Sequence, residues 1–162
     1  MTDGEGSVRV VELAPGDLDA VRAAAHLFDD DVDDAAASAF LEDPRHHLLI
    51  AYDGDEPAGF LSAIELLHPD KPRPEMFIYE LGVDANHRRR GAGTSLVRRI
   101  TDICEERGCR EMFVLTDDDN AAALATYRKG GAGREPDSVM FLWTFPAGAA
   151  DQAPEGGSDQ RG

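Results

Sequence analysis

Residues Met76–Val97 read MFIYELGVDANHRRRGAGTSLV, and the order of residue types within them decides most of the fold. Met76–Val83 (MFIYELGV) is apolar on both alternations, the pattern of a strand covered on both faces. A polar run then breaks the strand, and Gly91-Ala92-Gly93 opens a segment in which Leu96, Ile100, Ile103 and Cys104 share one helical face. The segment, Ala92 to Arg107, closes at Gly108, a residue suited to the left-handed turn that ends helices. A buried strand feeding a helix through a short basic turn is the expected centre of the molecule.

Upstream, Val8–Leu13 predicts a strand closed by Pro15-Gly16, and Asp17 can cap a helix over Leu18–Phe28. The acidic run Asp29, Asp30, Asp31, Asp33, Asp34 precedes a short helix, Ala35–Leu41. His47–Tyr52 and Ala58–Leu67 read as a hairpin around Asp53–Pro57, and Pro69–Pro74 as a proline-rich connection. Downstream come a strand at Glu111–Thr116, a helix at Ala121–Lys129 ended by Gly130-Gly131, and a last strand at Val139–Phe145. The order β-α-α-β-β-β-α-β-α-β predicts a mixed sheet with helices, α/β or α+β in class.

With 162 residues and 42% hydrophobic content, the chain fits one domain, expected over residues 7–145. Residues 1–6 and 146–162 are small and polar and are expected to be disordered. The 16 basic residues against 32 acidic ones, net −16, are unlike a fold that grips nucleic acid by its phosphates, so no nucleic-acid partner is expected. Only Lys71 and Lys129 are lysines, and abundant alanine and aspartate give part of this acidity a compositional origin. No stretch approaches the roughly 18 apolar residues of a membrane helix, and MTDGEGSVRV lacks the pattern of a signal peptide. No membrane partner and a cytoplasmic location are therefore the expectation. Cys104 and Cys109 match neither a disulfide framework nor zinc spacing, and His46-His47 lacks a carboxylate at ligand spacing, so no metal is expected. Ser38, Ser62 and Ser95 lack the strained turn of a hydrolase nucleophile.

Two features stand out. His87-Arg88-Arg89-Arg90-Gly91-Ala92-Gly93-Thr94 places three arginines and two glycines before a helix whose first N–H groups have no intrahelical partner, an arrangement that favours an anion. It is neither a Walker A loop nor GxGxxG, because no Gly-Lys-Ser/Thr follows and Leu96 stands at the third glycine. The alternative is an ordinary solvated basic turn. Glu80 is the second feature, a carboxylate inside an apolar strand, which fits either a general base or a Glu tied to a nearby arginine.

These residues resemble the acetyl-CoA-binding segment of the GCN5-related N-acetyltransferases, with Arg88-x-x-Gly91-x-Gly93 standing for its Arg/Gln-x-x-Gly-x-Gly/Ala signature. Asn120-AAALAT-Tyr127-RKGGA is similar to the family's following helix, and the element order over Val8–Phe145 matches. PEMFIYELGV and FVLTDDDNAAALATYRKGG further resemble the type I aminoglycoside 3-N-acetyltransferases, with Glu75, Tyr79, Glu80, Asp117 and Tyr127 in register. Glu80 stands where those enzymes carry Asp, and Asn120 replaces an acidic residue.

The resemblance implies a mixed, mostly antiparallel sheet of about six or seven strands with about four helices, splayed at the acetyl-CoA site. It implies that Leu81, Gly82 and Val83 bind the pantetheine arm, with the Val83 N–H on the thioester carbonyl. Arg88, Arg89, Arg90, Gly91, Ala92, Gly93 and Thr94 would cradle the pyrophosphate, and Asn120 would orient the cofactor. Glu80 would be the general base and Tyr127 the general acid. Asp29, Asp30, Asp31, Glu75, Tyr79, Asp117, Asp118 and Asp119 would draw in a cationic small molecule, an aminoglycoside on this resemblance. A polyamine or protein amino group is the alternative acceptor, and a non-catalytic acetyl-CoA-binding module the alternative function. A homodimer is compatible with the sequence.

Overall fold

The computed structural model describes residues 8–147. Ser7 and residues 148–162 lie outside it, as do residues 1–6, so most of the two tails expected to be disordered are not described. Five strands form one sheet in the order β1-β2-β3-β4-β5. They are β1 (Arg9–Glu12), β2 (His46–Asp53), β3 (Glu56–His68), β4 (Lys71–Val83) and β5 (Glu111–Val114). The first four pair antiparallel in sequence order, and β5 joins β4 in parallel. The helices are α1 (Leu18–Ala23), α2 (Asp34–Glu42), α3 (Ala92–Arg107) and α4 (Ala121–Lys129).

The sheet separates two apolar layers. On one face Leu96, Ile100 and Ile103 of α3 pack on Leu49, Ala51, Leu61, Ala63, Met76 and Ile78. On the other, Val21, Ala24 and Leu41 of the α1–α2 region pack on Leu48, Ile50 and Phe60. The helical stripe of α3 is fully used, and Gly108 closes it at φ +71°, as the sequence leads one to expect. The helix expected over Leu18–Phe28 breaks into α1 and a 3₁₀ turn at Ala25–Leu27.

Two expectations are corrected. The proline-rich stretch is a connection only at Pro69-Asp70, the turn between β3 and β4; Lys71–Pro74 already belong to β4, where the pairing is irregular between Leu66 and His68. Proline donates no ladder hydrogen bond, and such irregular places tolerate it. The sheet has five strands among the described residues, not six or seven, because Val139–Phe145 makes no ladder. Its side chains are exposed, from Met140 at 69% to Phe145 at 84%. Alternating apolar residues supply a strand's side chains but not its partner, and Gly130, Gly131 and Gly133 separate this stretch from α4 without leading it onto an edge.

A polar cluster ties the far end of the sheet to α3. His47, 5% exposed, sits between two carboxylates, with Nδ1 2.8 Å from Glu12 and Nε2 2.9 Å from Glu65, and Arg107 donates to Glu65. Burial works against ionised Glu65, but Arg107 and His47 outweigh it and hold its carboxyl below the usual range. A depressed carboxyl stabilises the fold above its unfolded pKa, and that contribution disappears as pH falls. His47→Leu is expected to lower the free energy of urea unfolding by about 2–4 kcal/mol at neutral pH. The difference from the parent chain should narrow towards about pH 4. An equal unfolding midpoint at neutral pH would show that the cluster contributes nothing.

Candidate active site

β4 and β5 pair only from Glu75–Glu111 to Ile78–Val114. Beyond Ile78, β4 continues to Val83 paired with β3 alone. The Asp84 N–H donates to the Ala58 carbonyl at 2.9 Å. By the alternation of antiparallel pairs, Gly82 and Glu80 therefore turn their backbone groups towards β3, while Val83 and Leu81 turn theirs to the open side. This is the splay that the sequence expectation placed at Leu81–Val83.

A bulge decides where Glu80 points. Ser62 pairs with Glu80 but Ala63 pairs with Ile78, so Tyr79 is the extra residue. Met76 and Ile78 face α3, and after the bulge Leu81 and Val83 do so. Glu80 and Gly82 consequently face the α1–α2 side. A Cβ on Gly82 would lie 2.7 Å from the Phe60 ring and 3.7 Å from the Leu27 carbonyl, so the end of the 3₁₀ turn sits against this strand. Glu80 and Tyr79 are both exposed. The expectation of a buried carboxylate is thereby corrected: the stretch reads as apolar on both faces, yet its second half has lost its β5 neighbour.

The basic turn wraps the mouth of the opening. Arg89 is the one non-glycine residue with positive φ among the described residues (+64°), and Gly91 follows at +86°. Left-handed residues in such a turn point successive N–H groups into a concavity that suits an anion. The first intrahelical bond of α3 runs from the Ser95 N–H to the Gly91 carbonyl, leaving the amides of Ala92, Gly93 and Thr94 without intrahelical acceptors. Arg88 and Arg89 are exposed and in no ion pair among the described residues, whereas Arg90 is engaged. It donates to Asp53 at 2.7 Å, and His87 donates to the same carboxylate at 3.0 Å. His87 first and Arg90 second hold the Asp53 carboxyl below the usual range. Sequence reading took Asp53 only as a hairpin-turn residue and missed this clasp, since nothing local signals a partner so far along the chain.

The two glycines do different work. Gly91 has open space around a built Cβ and is required for its φ. A Cβ on Gly93 would stand 3.3 Å from Thr126 and 3.6 Å from Val83, so this glycine lets α3 approach α4 and β4. Tyr127 lies on α4 beside that contact, half-buried, and burial raises its phenol above the ordinary value. The Asn120 side chain accepts from the Ala123 N–H at 3.1 Å and caps α4, which occupies its oxygen. A groove of about 150 Å³ between α3 and α4, with Thr94, Arg98 and Lys129 on its walls, adjoins the same helix start.

The expected acceptor residues divide. Asp29, Asp30 and Asp31 are exposed directly after Phe28, whose ring packs 4.7 Å from Phe60 near Gly82. Asp117, Asp118 and Asp119 are exposed before α4, with Asp118 paired to Arg134 at 2.7 Å. Glu75 stands apart from these groups. It lies at the paired end of β4, bonded to His68 (3.2 Å) and 3.5 Å from Arg110. Burial pushes the Cys104 thiol up to about 12, which suits packing and not nucleophilic chemistry.

A strand pair thus parts over one cleft, with a helix start and an arginine turn after it. The chain belongs to the acetyltransferase (GNAT) family, whose model matches residues 17–132. It is 38% identical over 99 residues to a mycothiol acetyltransferase of Clavibacter sepedonicus, which covers 61% of this chain and 30% of that protein. It is 30% identical over 108 residues to an L-2,4-diaminobutyric acid acetyltransferase of Shouchella clausii, covering 64% of this chain and 59% of the relative. The matches thus span less than two thirds of these relatives' own lengths. Among solved structures, aminoglycoside acetyltransferase meta-AAC0020 from an uncultured soil metagenomic sample, in complex with trehalose, aligns with a TM-score of 0.78 and 25% identity, covering 86% of this chain and 97% of that one. A second soil metagenomic aminoglycoside acetyltransferase, HMB0005, gives a TM-score of 0.74 and 26% identity, covering 88% and 99%.

If the turn holds the pyrophosphate of acetyl-CoA, as the resemblance implies, Asp53→Asn should free it and weaken acetyl-CoA binding roughly tenfold, because hydrogen bonds to a charged group are lost. Gly91→Ala should do the same through the cost of its positive φ, about 1–2 kcal/mol. Gly93→Val should instead lower the melting temperature by forcing α3 away from Thr126. Calorimetric titration of both turn variants at wild-type affinity would show that the turn's shape is irrelevant to the cofactor.

Proposed function

We propose that this chain transfers the acetyl group of acetyl-CoA to an amino group of a cationic small molecule, an aminoglycoside in the first instance and at its 3-amino group. The observation that carries the reading is the unpaired Leu81–Val83 edge, flanked by the arginine turn on one side and by exposed Glu80 on the other. The open edge, the free amides of Ala92–Thr94 and the concave turn fit an extended arm ending in a pyrophosphate. Acetyl-CoA supplies an activated thioester carbonyl to this cleft.

The chain's own groups have the following roles. The amides after Gly91 and the Arg88 and Arg89 side chains hold the pyrophosphate, and Leu81 and Val83 hold the arm. The outward Val83 N–H donates to the thioester carbonyl oxygen as negative charge develops there. Glu80 takes one proton from the acceptor ammonium, the neutral amine attacks the thioester carbonyl carbon, and as the C–S bond breaks the second amine proton leaves to solvent. Tyr127, whose phenol burial keeps protonated, gives its proton to the departing thiolate. Asp29–Asp31, Asp117 and Asp119 favour a polycationic acceptor over an anionic one. Asn120 contributes by fixing the start of α4. The likeness to aminoglycoside acetyltransferases supports that acceptor class, and the diaminobutyric acid acetyltransferase supports a smaller diamine as the second candidate.

Free-thiol release from acetyl-CoA across gentamicin, 2,4-diaminobutyrate, spermidine and a lysine peptide tests the assignment. Gentamicin is expected to give the highest kcat/KM, and a profile led by another amine would move the acceptor class. With the best acceptor, Glu80→Gln should lower kcat by about 10²–10⁴ and Tyr127→Phe by about 10–10³, at unchanged acetyl-CoA affinity. Wild-type turnover in both variants would remove these two roles.

A further inference from the structure

Two buried side-chain polar atoms among the described residues have no hydrogen-bonding partner, His46 Nδ1 and Ser62 Oγ. His46 lies at the far end of β2, its ring stacked on Phe40 at 4.6 Å. Ser62 lies in the middle of β3, is only 7% exposed, and is the direct cross-strand partner of Glu80. Its β2 partner is Leu48, a member of the α1–α2 layer, and its neighbours Leu61 and Ala63 face α3. Ser62 therefore points to the α1–α2 side, the side to which the Tyr79 bulge turns Glu80. Without that bulge, Glu80 would share the α3 face with Met76 and Ile78, and Ser62 would have no acid beside it.

A hydroxyl held out of water with no acceptor is costly, and native structures rarely keep one without a use. Directly opposed residues on one sheet face have their Cβ atoms about 4.5–5.5 Å apart, which a glutamate side chain spans by rotation about its own bonds. The other nearby groups on this face, Leu48, Phe60 and Gly82, offer no side-chain acceptor.

We propose that Ser62 is a positioning residue for acetyl transfer: its hydroxyl donates a hydrogen bond to the Glu80 carboxylate and holds it over the acceptor amine. The inference rests on Glu80 being the base. Ser62 donates to one carboxylate oxygen while the other accepts the ammonium proton. The bond that forms is the O–H on Glu80, and the bond that breaks is an N–H of the acceptor. Ser62 keeps its own proton throughout.

Ser62→Ala removes the hydroxyl at nearly unchanged volume. The variant should melt at the same temperature or higher, since a buried polar atom without a resting partner is gone. Its kcat should fall about 10- to 100-fold with the acetyl-CoA KM unchanged, the range for a hydrogen bond to a charged group. In a Glu80→Gln background, Ser62→Ala should cause no further loss, because two residues acting as one unit are non-additive. Unchanged kcat in Ser62→Ala alongside a large loss in Glu80→Gln would overturn the role of Ser62 and leave the base in place. Equal fold-losses from Ser62→Ala in both backgrounds would overturn it too, by showing an effect that does not pass through Glu80. Wild-type turnover in Glu80→Gln would overturn the base itself, and this inference with it.

Discussion

β5 pairs with β4 over four positions and ends level with Ile78, while β4 runs on to Val83 with β3 on one side and no strand on the other among the described residues. Much of the site follows from that mismatch. A strand inside a sheet normally loses both rows of backbone groups to its neighbours, and here one row stays free at Leu81 and Val83. The bulge at Tyr79 falls where the two strands part and turns Glu80 to the face opposite α3. The strand thus offers two separate features, a free backbone edge at Leu81–Val83 and an exposed carboxylate, Glu80, on its α1–α2 face.

The charge of the chain is arranged around this opening more than its total suggests. Three arginines and the start of α3 form a cationic turn in a chain of net charge −16. One arginine, Arg90, is committed to Asp53 and fixes the turn to the β2–β3 hairpin, while Arg88 and Arg89 are exposed and in no ion pair among the described residues. The carboxylates are less uniform. Glu65, Glu75 and Asp34 are tied up in ion pairs that hold the scaffold, whereas Asp29–Asp31, Asp117 and Asp119 are exposed and in no ion pair among the described residues.

Local pattern made much of this legible. The α3 stripe, the Gly91 and Gly108 ends, the hairpin at Asp53–Pro57 and the strand before the basic turn all follow from spacing and turn chemistry. Three features did not, each for a long-range reason. The bulge depends on register between β3 and β4, which no periodicity within Met76–Val83 encodes, and so Glu80 reads as buried when it is exposed. The Asp53 clasp joins residues 34 and 37 positions apart. Val139–Phe145 has the alternation of a strand, but a strand exists only with a partner, and partners are a property of the whole sheet. Glu75 shows the converse: its place beside the other site residues in sequence puts it at the paired end of β4, in an ion-pair cluster with His68 and Arg110.

Amide hydrogen exchange, followed residue by residue along β4 with and without acetyl-CoA, tests the open edge most directly. The Leu81 and Val83 amides should exchange fast in the free protein and slow by about tenfold or more once acetyl-CoA binds, while Gly82, bonded to β3, stays protected in both states. Equal protection of Leu81, Gly82 and Val83 in the free protein, unchanged by acetyl-CoA, would mean that β4 has no free edge there and that the cofactor binds elsewhere.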